Sequence, residues 1–135
     1  MKGIVYALLF VIIGVLLYKL WSPVFSPPKR DIPVNEARLY FFYTDWCGWS
    51  KKAMPEWEKL KAKLGDKAMF GETHVTLVPI NAETDRKTAE LYEVEGYPTV
   101  LLERAEGITT FKKRPTYDSL LHFLRQSLGK ESPSL

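Results

Sequence analysis

One cysteine and two histidines are all the thiol and imidazole ligands in 135 residues. A lone thiol, Cys47, cannot close an intramolecular disulfide, and it leaves no cysteine-based zinc site to assemble. His74 and His122 fall in segments that read as core-forming, without a ligand partner at metal spacing. Net charge is nearly absent as well: Lys plus Arg number 19 against 16 acids, and Lys2 and Lys19 flank the apolar start, which leaves 17 against 16 for the rest. Nucleic-acid binding normally shows as a concentrated basic stripe, so that class is set aside. No internal repeat is present.

The sequence does have one long apolar run. Ile4 to Leu17 carries no charge, and it extends through Tyr18 and Leu20 to Trp21. About eighteen helical residues rise about 27 Å, close to the roughly 30 Å hydrocarbon thickness of a bilayer. Lys19 can snorkel its amine outward, and Tyr18 and Trp21 suit an interfacial belt. A cleaved signal peptide would need a small-x-small site, which Leu20-Trp21-Ser22 does not supply. The reading is a single-pass N-terminal membrane anchor over 1–21. Positive charges on its two sides, Lys2 against Lys19, Lys29 and Arg30, differ by too little to fix which side the rest occupies.

Residues 22–37 read as a linker, because Pro23, Pro27, Pro28 and Pro33 favour an extended spacer. One domain of ordinary size follows over 38–129, and 130–135 reads as a loose tail.

Within the domain, Arg38-Leu39-Tyr40-Phe41-Phe42-Tyr43 suits a strand buried on both faces. From Trp49 to Leu64, Ala53, Trp57, Leu60 and Leu64 recur at helical spacing, with Pro55 expected to kink the helix. His74 to Ile80 reads as a strand and Glu83 to Val94 as a helix. Thr99 to Glu103 and Ile108 to Lys112 make a hairpin around Ala105-Glu106-Gly107. Thr116 opens a last helix with Tyr117, Leu120, Leu121, Leu124 and Leu128 on its apolar face, and Gly129 ends it. The expected fold class is α/β: a mixed sheet with helices on both faces.

The chemistry gathers at Trp46-Cys47-Gly48-Trp49-Ser50-Lys51. A thiol at a helix start, just beyond a buried strand, meets unpaired N–H groups and the positive end of the helix dipole. Lys51 and Lys52 add positive charge nearby. A depressed Cys47 pKa follows, hence a nucleophile near neutral pH.

The segment from Phe41 to Lys51 resembles the active-site segment of thioredoxin and protein disulfide isomerase, with Pro55 at the helix-kinking proline. Glu95-Gly96-Tyr97-Pro98-Thr99-Val100 resembles that family's second signature, in which the proline is cis and faces the thiol. The resemblance covers Leu39 to Leu128 and implies a thioredoxin-like fold, trimmed at its start to βαβα-ββα and preceded by one transmembrane helix. It implies Cys47 as nucleophile, assisted by Ser50, and a client groove made by Trp46, Gly48, Trp49, Tyr97 and Pro98.

The departures from the family are equally specific. Ser50 stands where the resolving cysteine belongs, so the two-thiol cycle is excluded. Phe41 occupies the place of a buried acid. What remains is monothiol exchange: Cys47 forms a mixed disulfide with a protein client and is released by an external thiol such as glutathione. No resident cofactor or metal is implied. Cys-Gly-Trp-Ser also resembles the Cys-Gly-Phe-Ser of monothiol glutaredoxins, which bind glutathione and iron–sulfur clusters, although Trp46 and Tyr97-Pro98 fit thioredoxin better. The other class is a binding or structural module on the same fold, with Cys47 an inert remnant and the tryptophans docking a partner. Such a module would serve a membrane-lined assembly, a large virus particle among them.

Overall fold

The computed structural model describes residues 1–21, 31–65 and 68–130, with side chains of the first segment described to Tyr18. Most of the proline-rich linker and the tail beyond Lys130 lie outside the described residues. The chain divides into two units, Met1–Asp31 and Ile32–Leu135.

In the first unit, α1 spans Lys2–Trp21. Its described apolar side chains are exposed on every face, Ile4 and Phe10 among them, so it has no polar side to turn to water. Among the described residues no helix is long and apolar enough to cross a membrane. The transmembrane anchor expected over 1–21 is thus not supported by the described residues, which show an apolar N-terminal helix.

The second unit contains β1 (Glu36–Tyr43), α2 (Gly48–Leu64), β2 (Ala68–Phe70), β3 (Thr73–Asn81), α3 (Arg86–Leu91), β4 (Thr99–Arg104), β5 (Gly107–Thr110) and α4 (Tyr117–Leu128). Its sheet runs β2-β3-β1-β4-β5. β1 lies at the centre, parallel to β3 and antiparallel to β4. This is the expected mixed sheet.

Alternation along β1 feeds two cores. Ala37, Leu39 and Phe41 pack with Trp57, Leu60, Leu120 and Leu124 from α2 and α4. Tyr40 and Phe42 face the other way, onto Ala89 of α3 and Leu101. All four apolar positions expected on α2, Ala53, Trp57, Leu60 and Leu64, are buried, and Pro55 lies inside the helix. On α4, Thr116 and Ser119 form a reciprocal capping box, and Gly129 follows the last turn at φ 101°, a conformation that favours glycine.

Two elements differ from the sequence reading. β2 was not expected; it pairs antiparallel with β3 through a turn at Gly71. The second helix is shorter than Glu83 to Val94. Glu83 is occupied elsewhere, as its carboxylate accepts the Asp45 N–H at 2.6 Å. Asp85 is the cap, accepting from Thr88 N–H, and Glu93 leaves the helix at φ 53°.

Candidate functional site

The site lies at the carboxyl end of β1, the edge at which open α/β sheets hold their ligands. The Tyr43 carbonyl accepts from Ala82 N–H at 2.9 Å. Asn81 Nδ2 donates to Asp45 at 2.9 Å, and Asn81 Oδ1 accepts from Glu83 N–H at the same distance. The loop carrying Asp45 and Trp46 is thereby fastened to the end of β3 before the chain enters α2.

Cys47 is the N-cap of α2, with extended backbone angles, and its side chain makes no capping bond. Its carbonyl accepts from Lys51 N–H at 3.0 Å. The thiol is left beside the free donors of the first turn. The backbone N–H of Ser50 lowers the Cys47 pKa most; the Ser50 hydroxyl and the Trp49 N–H lower it further, and partial burial opposes them. Hydrogen bonds account for the expected depression, and the lysines at 51 and 52 are not among its causes. Cys47 is covered by its immediate neighbours yet lies at the rim of the domain, not deep within it.

Ser50 is itself buried, and its hydroxyl accepts from Thr44 N–H at 3.4 Å. It ties the strand end to the first turn of α2.

Across from α2, the Tyr97–Pro98 bond is cis. The Cys47 thiol donates to the Tyr97 carbonyl at 3.3 Å. A carbonyl oxygen favours the protonated sulfur, whereas the donors of α2 favour the thiolate, so ionisation gives up the first contact for the second. It also frees the Tyr97 carbonyl for another donor. Trp46 meets the Tyr97 ring edge-on at 6.3 Å. Trp46 and Trp49 are 68% and 61% exposed, large apolar surfaces on either side of a nucleophile. Gly48, at the start of α2, has no heavy atom within 4 Å of where a Cβ would sit.

The residues singled out in the sequence thus come together: Cys47 with Ser50 and Tyr97, Trp46 with Tyr97, and Trp49, Tyr97 and Pro98 along one cleft of about 470 Å³. Phe41 stacks on Trp57. Among the described residues no cluster of three metal-ligating side chains occurs.

Sequence reasoning missed Arg114. Its guanidinium lies 5.9 Å from the Trp49 ring, and Lys52 Nζ lies 4.9 Å from the same ring. The signal was the basic run Lys112-Lys113-Arg114 just before α4, but nothing in the sequence ties it to Trp49. A second cleft, lined by Trp46, Glu83, Arg86, Glu90 and Tyr97, lies on the other flank.

The sequence model of the thioredoxin family matches residues 30–126. The chain is 36% identical over 77 residues to a protein disulfide-isomerase of Drosophila melanogaster, covering 57% of this chain and 15% of that protein. It is 31% identical over 102 residues to the thioredoxin domain-containing protein R362 of Acanthamoeba polyphaga mimivirus, covering 72% of this chain and 28% of that one. It therefore spans less than a third of the length of these relatives. The first thioredoxin domain of mouse protein disulfide-isomerase A4 superposes with a TM-score of 0.57 at 24% identity, over 73% of this chain and 66% of that one; this likeness is one of fold.

Proposed function

This chain belongs to the thioredoxin family, and on that premise we propose that it carries out thiol–disulfide exchange on protein clients through Cys47 alone, held at a membrane by α1. The observation that carries the reading is the Cys47 sulfur at the mouth of α2, its pKa lowered by the donors there, facing the Tyr97 carbonyl at 3.3 Å.

The Cys47 thiolate attacks one sulfur of a client disulfide. A bond forms between Cys47 and that sulfur, the client S–S bond breaks, and the second client sulfur leaves as a thiolate that takes a proton from water. Ser50 offers no thiol, so the mixed disulfide persists. An external thiolate, glutathione for example, then attacks the client sulfur and expels the Cys47 thiolate. Attack by another thiolate of the same client gives the isomerase outcome instead. The peptide edge at Tyr97 and Pro98 lines the client segment, and Trp46 and Trp49 cover it.

Membrane attachment rests on α1, which is apolar all round and flanked by Lys2 and Lys19. Alkaline extraction of membranes carrying the full chain checks it: retention in the pellet is expected, and release into the supernatant overturns it.

Trapping tests the chemistry. Non-reducing gels of alkylated cell extracts should show client adducts that vanish in Cys47→Ser, and their absence from the wild type sinks the exchange reading. The exposed tryptophans favour a second reading, a docking module that uses the same face without a covalent step. Partner association that survives Cys47→Ser but not Trp46→Ala with Trp49→Ala supports the docking module.

A further inference from the structure

The two flanks of Cys47 differ in charge. On the α2 side, Lys52 and Arg114 both gather over the exposed Trp49 indole, next to Tyr97 and Pro98. Among the described residues neither cation has a carboxylate in ion-pair contact. The acid in this cleft is Glu56, and its carboxylate is engaged: Oε2 accepts the Tyr117 N–H at 2.7 Å, at the start of α4. Lys51, Lys112 and Lys113 are exposed too, but line other clefts. On the Trp46 side the cleft has Glu83 and Glu90 against Arg86, and Asp45 stands in the adjoining loop.

An exposed indole with two cations over it, neither in ion-pair contact among the described residues, is a prepared seat for a carboxylate from outside. The cations are placed over the ring by cation–π attraction, so little side-chain freedom remains to be lost when an anion arrives. Opposite polarity across the nucleophile also orients a segment, because like charges brought together on the wrong flank oppose docking.

We infer that the client segment bound across Cys47 carries an Asp or Glu side chain on one side of its reactive cysteine, received between Lys52 and Arg114. The inference rests on the exchange reading and adds a substrate class to it: acidic protein segments, taken in one direction.

Synthetic peptides that carry one cysteine as a mixed disulfide with a chromophoric aromatic thiol serve as the probe. Attack by Cys47 on the peptide sulfur breaks the S–S bond and releases the aromatic thiolate, which is read by its absorbance. The peptides differ only in placing Asp, Asn or Lys at successive positions on either side of the cysteine. At low salt, Asp on one side should react about fivefold faster than Asn, and Lys slower, as expected for two exposed cations acting on one charge. Asp on the other side should give no gain, and the preference should shrink as salt is raised. In Lys52→Glu with Arg114→Glu the order of Asp and Lys, each relative to Asn in the same variant, should invert. Should that variant fail to fold by circular dichroism, the side preference and salt dependence of the wild type decide alone. Equal rates for all peptides overturn the charge inference and leave the exchange reading standing. Release from no peptide, with the folded wild type, overturns both.

Discussion

Phe41 lies flat against Trp57, their ring centroids 5.0 Å apart and the planes at 14°, with no surface of either residue exposed. This stack joins the central strand to the helix that Cys47 caps. By the resemblance of the segment from Phe41 to Lys51 to the family's active-site segment, Phe41 stands where two-thiol members keep an acid for proton transfer to the second sulfur. With Ser50 at that second position the acid has no partner to serve, and apolar packing takes the space.

Phe41→Ala is expected to cost about 3–5 kcal/mol, the usual range for emptying a buried aromatic site. Urea unfolding followed by the tryptophan signal measures it. A loss below about 1 kcal/mol would mean that the stack carries little of the fold.

How far the sequence predicted the structure depends on how local each signal was. β1 was legible as an unbroken apolar and aromatic run, and α2 and α4 because their apolar residues recur at helix spacing over many residues. β2 was not, as three residues are too few for alternation to show. α3 was read too long: Ala89, Leu91 and Val94 keep a helical step, but Leu91 is 47% exposed and the turn at Glu93 breaks the helix between them. Cys47, Ser50 and the Tyr97–Pro98 pair each lie within a short contiguous motif. Lys52 follows Trp49 by three residues on α2, a local pairing, but the arrival of Arg114 over the same ring is a tertiary event, and the basic run before α4 does not say which ring it meets.

Gly71 shows the same limit. Its φ is +60°, and a Cβ there would come within 3.0 Å of the Leu128 carbonyl, while its N–H donates to the Lys130 carbonyl at 2.8 Å. The β2–β3 turn is thereby fastened to the end of α4. Gly71→Ala should cost about 1–2 kcal/mol from the left-handed conformation alone, with more from the close approach. Thermal unfolding should show the drop, and an unchanged midpoint would mean that this turn shifts freely.

On the α3 face, Glu103 is 2% exposed and accepts the Tyr92 hydroxyl at 2.7 Å. Burial pushes the Tyr92 pKa well above its ordinary value, with hydrogen bonds to Tyr40 and Glu103 adding to it. Tyr92 therefore remains a neutral donor at all ordinary pH. Tyr92→Phe leaves a buried carboxylate short of one partner and should cost about 1–3 kcal/mol. Adding Glu103→Gln should recover part of that loss in a double-mutant cycle, whereas strictly additive losses would argue against coupling between the pair.

The Cys47 pKa is lowered by donors that stabilise its thiolate. Alkylation by iodoacetamide follows the thiolate fraction, so its pH profile should turn over below the free-cysteine value of about 8.5. Ser50→Ala removes the hydroxyl but keeps the backbone N–H, which is the larger cause. The inflection should accordingly move up, toward the free value without reaching it. A downward move, or none, would show that the hydroxyl does not serve the thiolate.

Ser50→Cys asks whether the missing thiol is all that separates this site from two-thiol chemistry. The Ser50 side chain is among the causes that lower the Cys47 pKa, so a sulfur at that position starts near its partner. On oxidation the variant should lose both free thiols without dimerising. Client adducts trapped on Cys47 should become short-lived, because the new thiolate attacks Cys47, displaces the reduced client sulfur and closes the intramolecular bond. Phe41 leaves that second thiol without an acid to exchange protons with, so turnover in a dithiol-dependent reduction should appear yet remain slow. Adducts as long-lived as those of the wild type would mean that the buried sulfur at 50 cannot reach, and that the site is committed to one thiol by its packing and not only by its sequence.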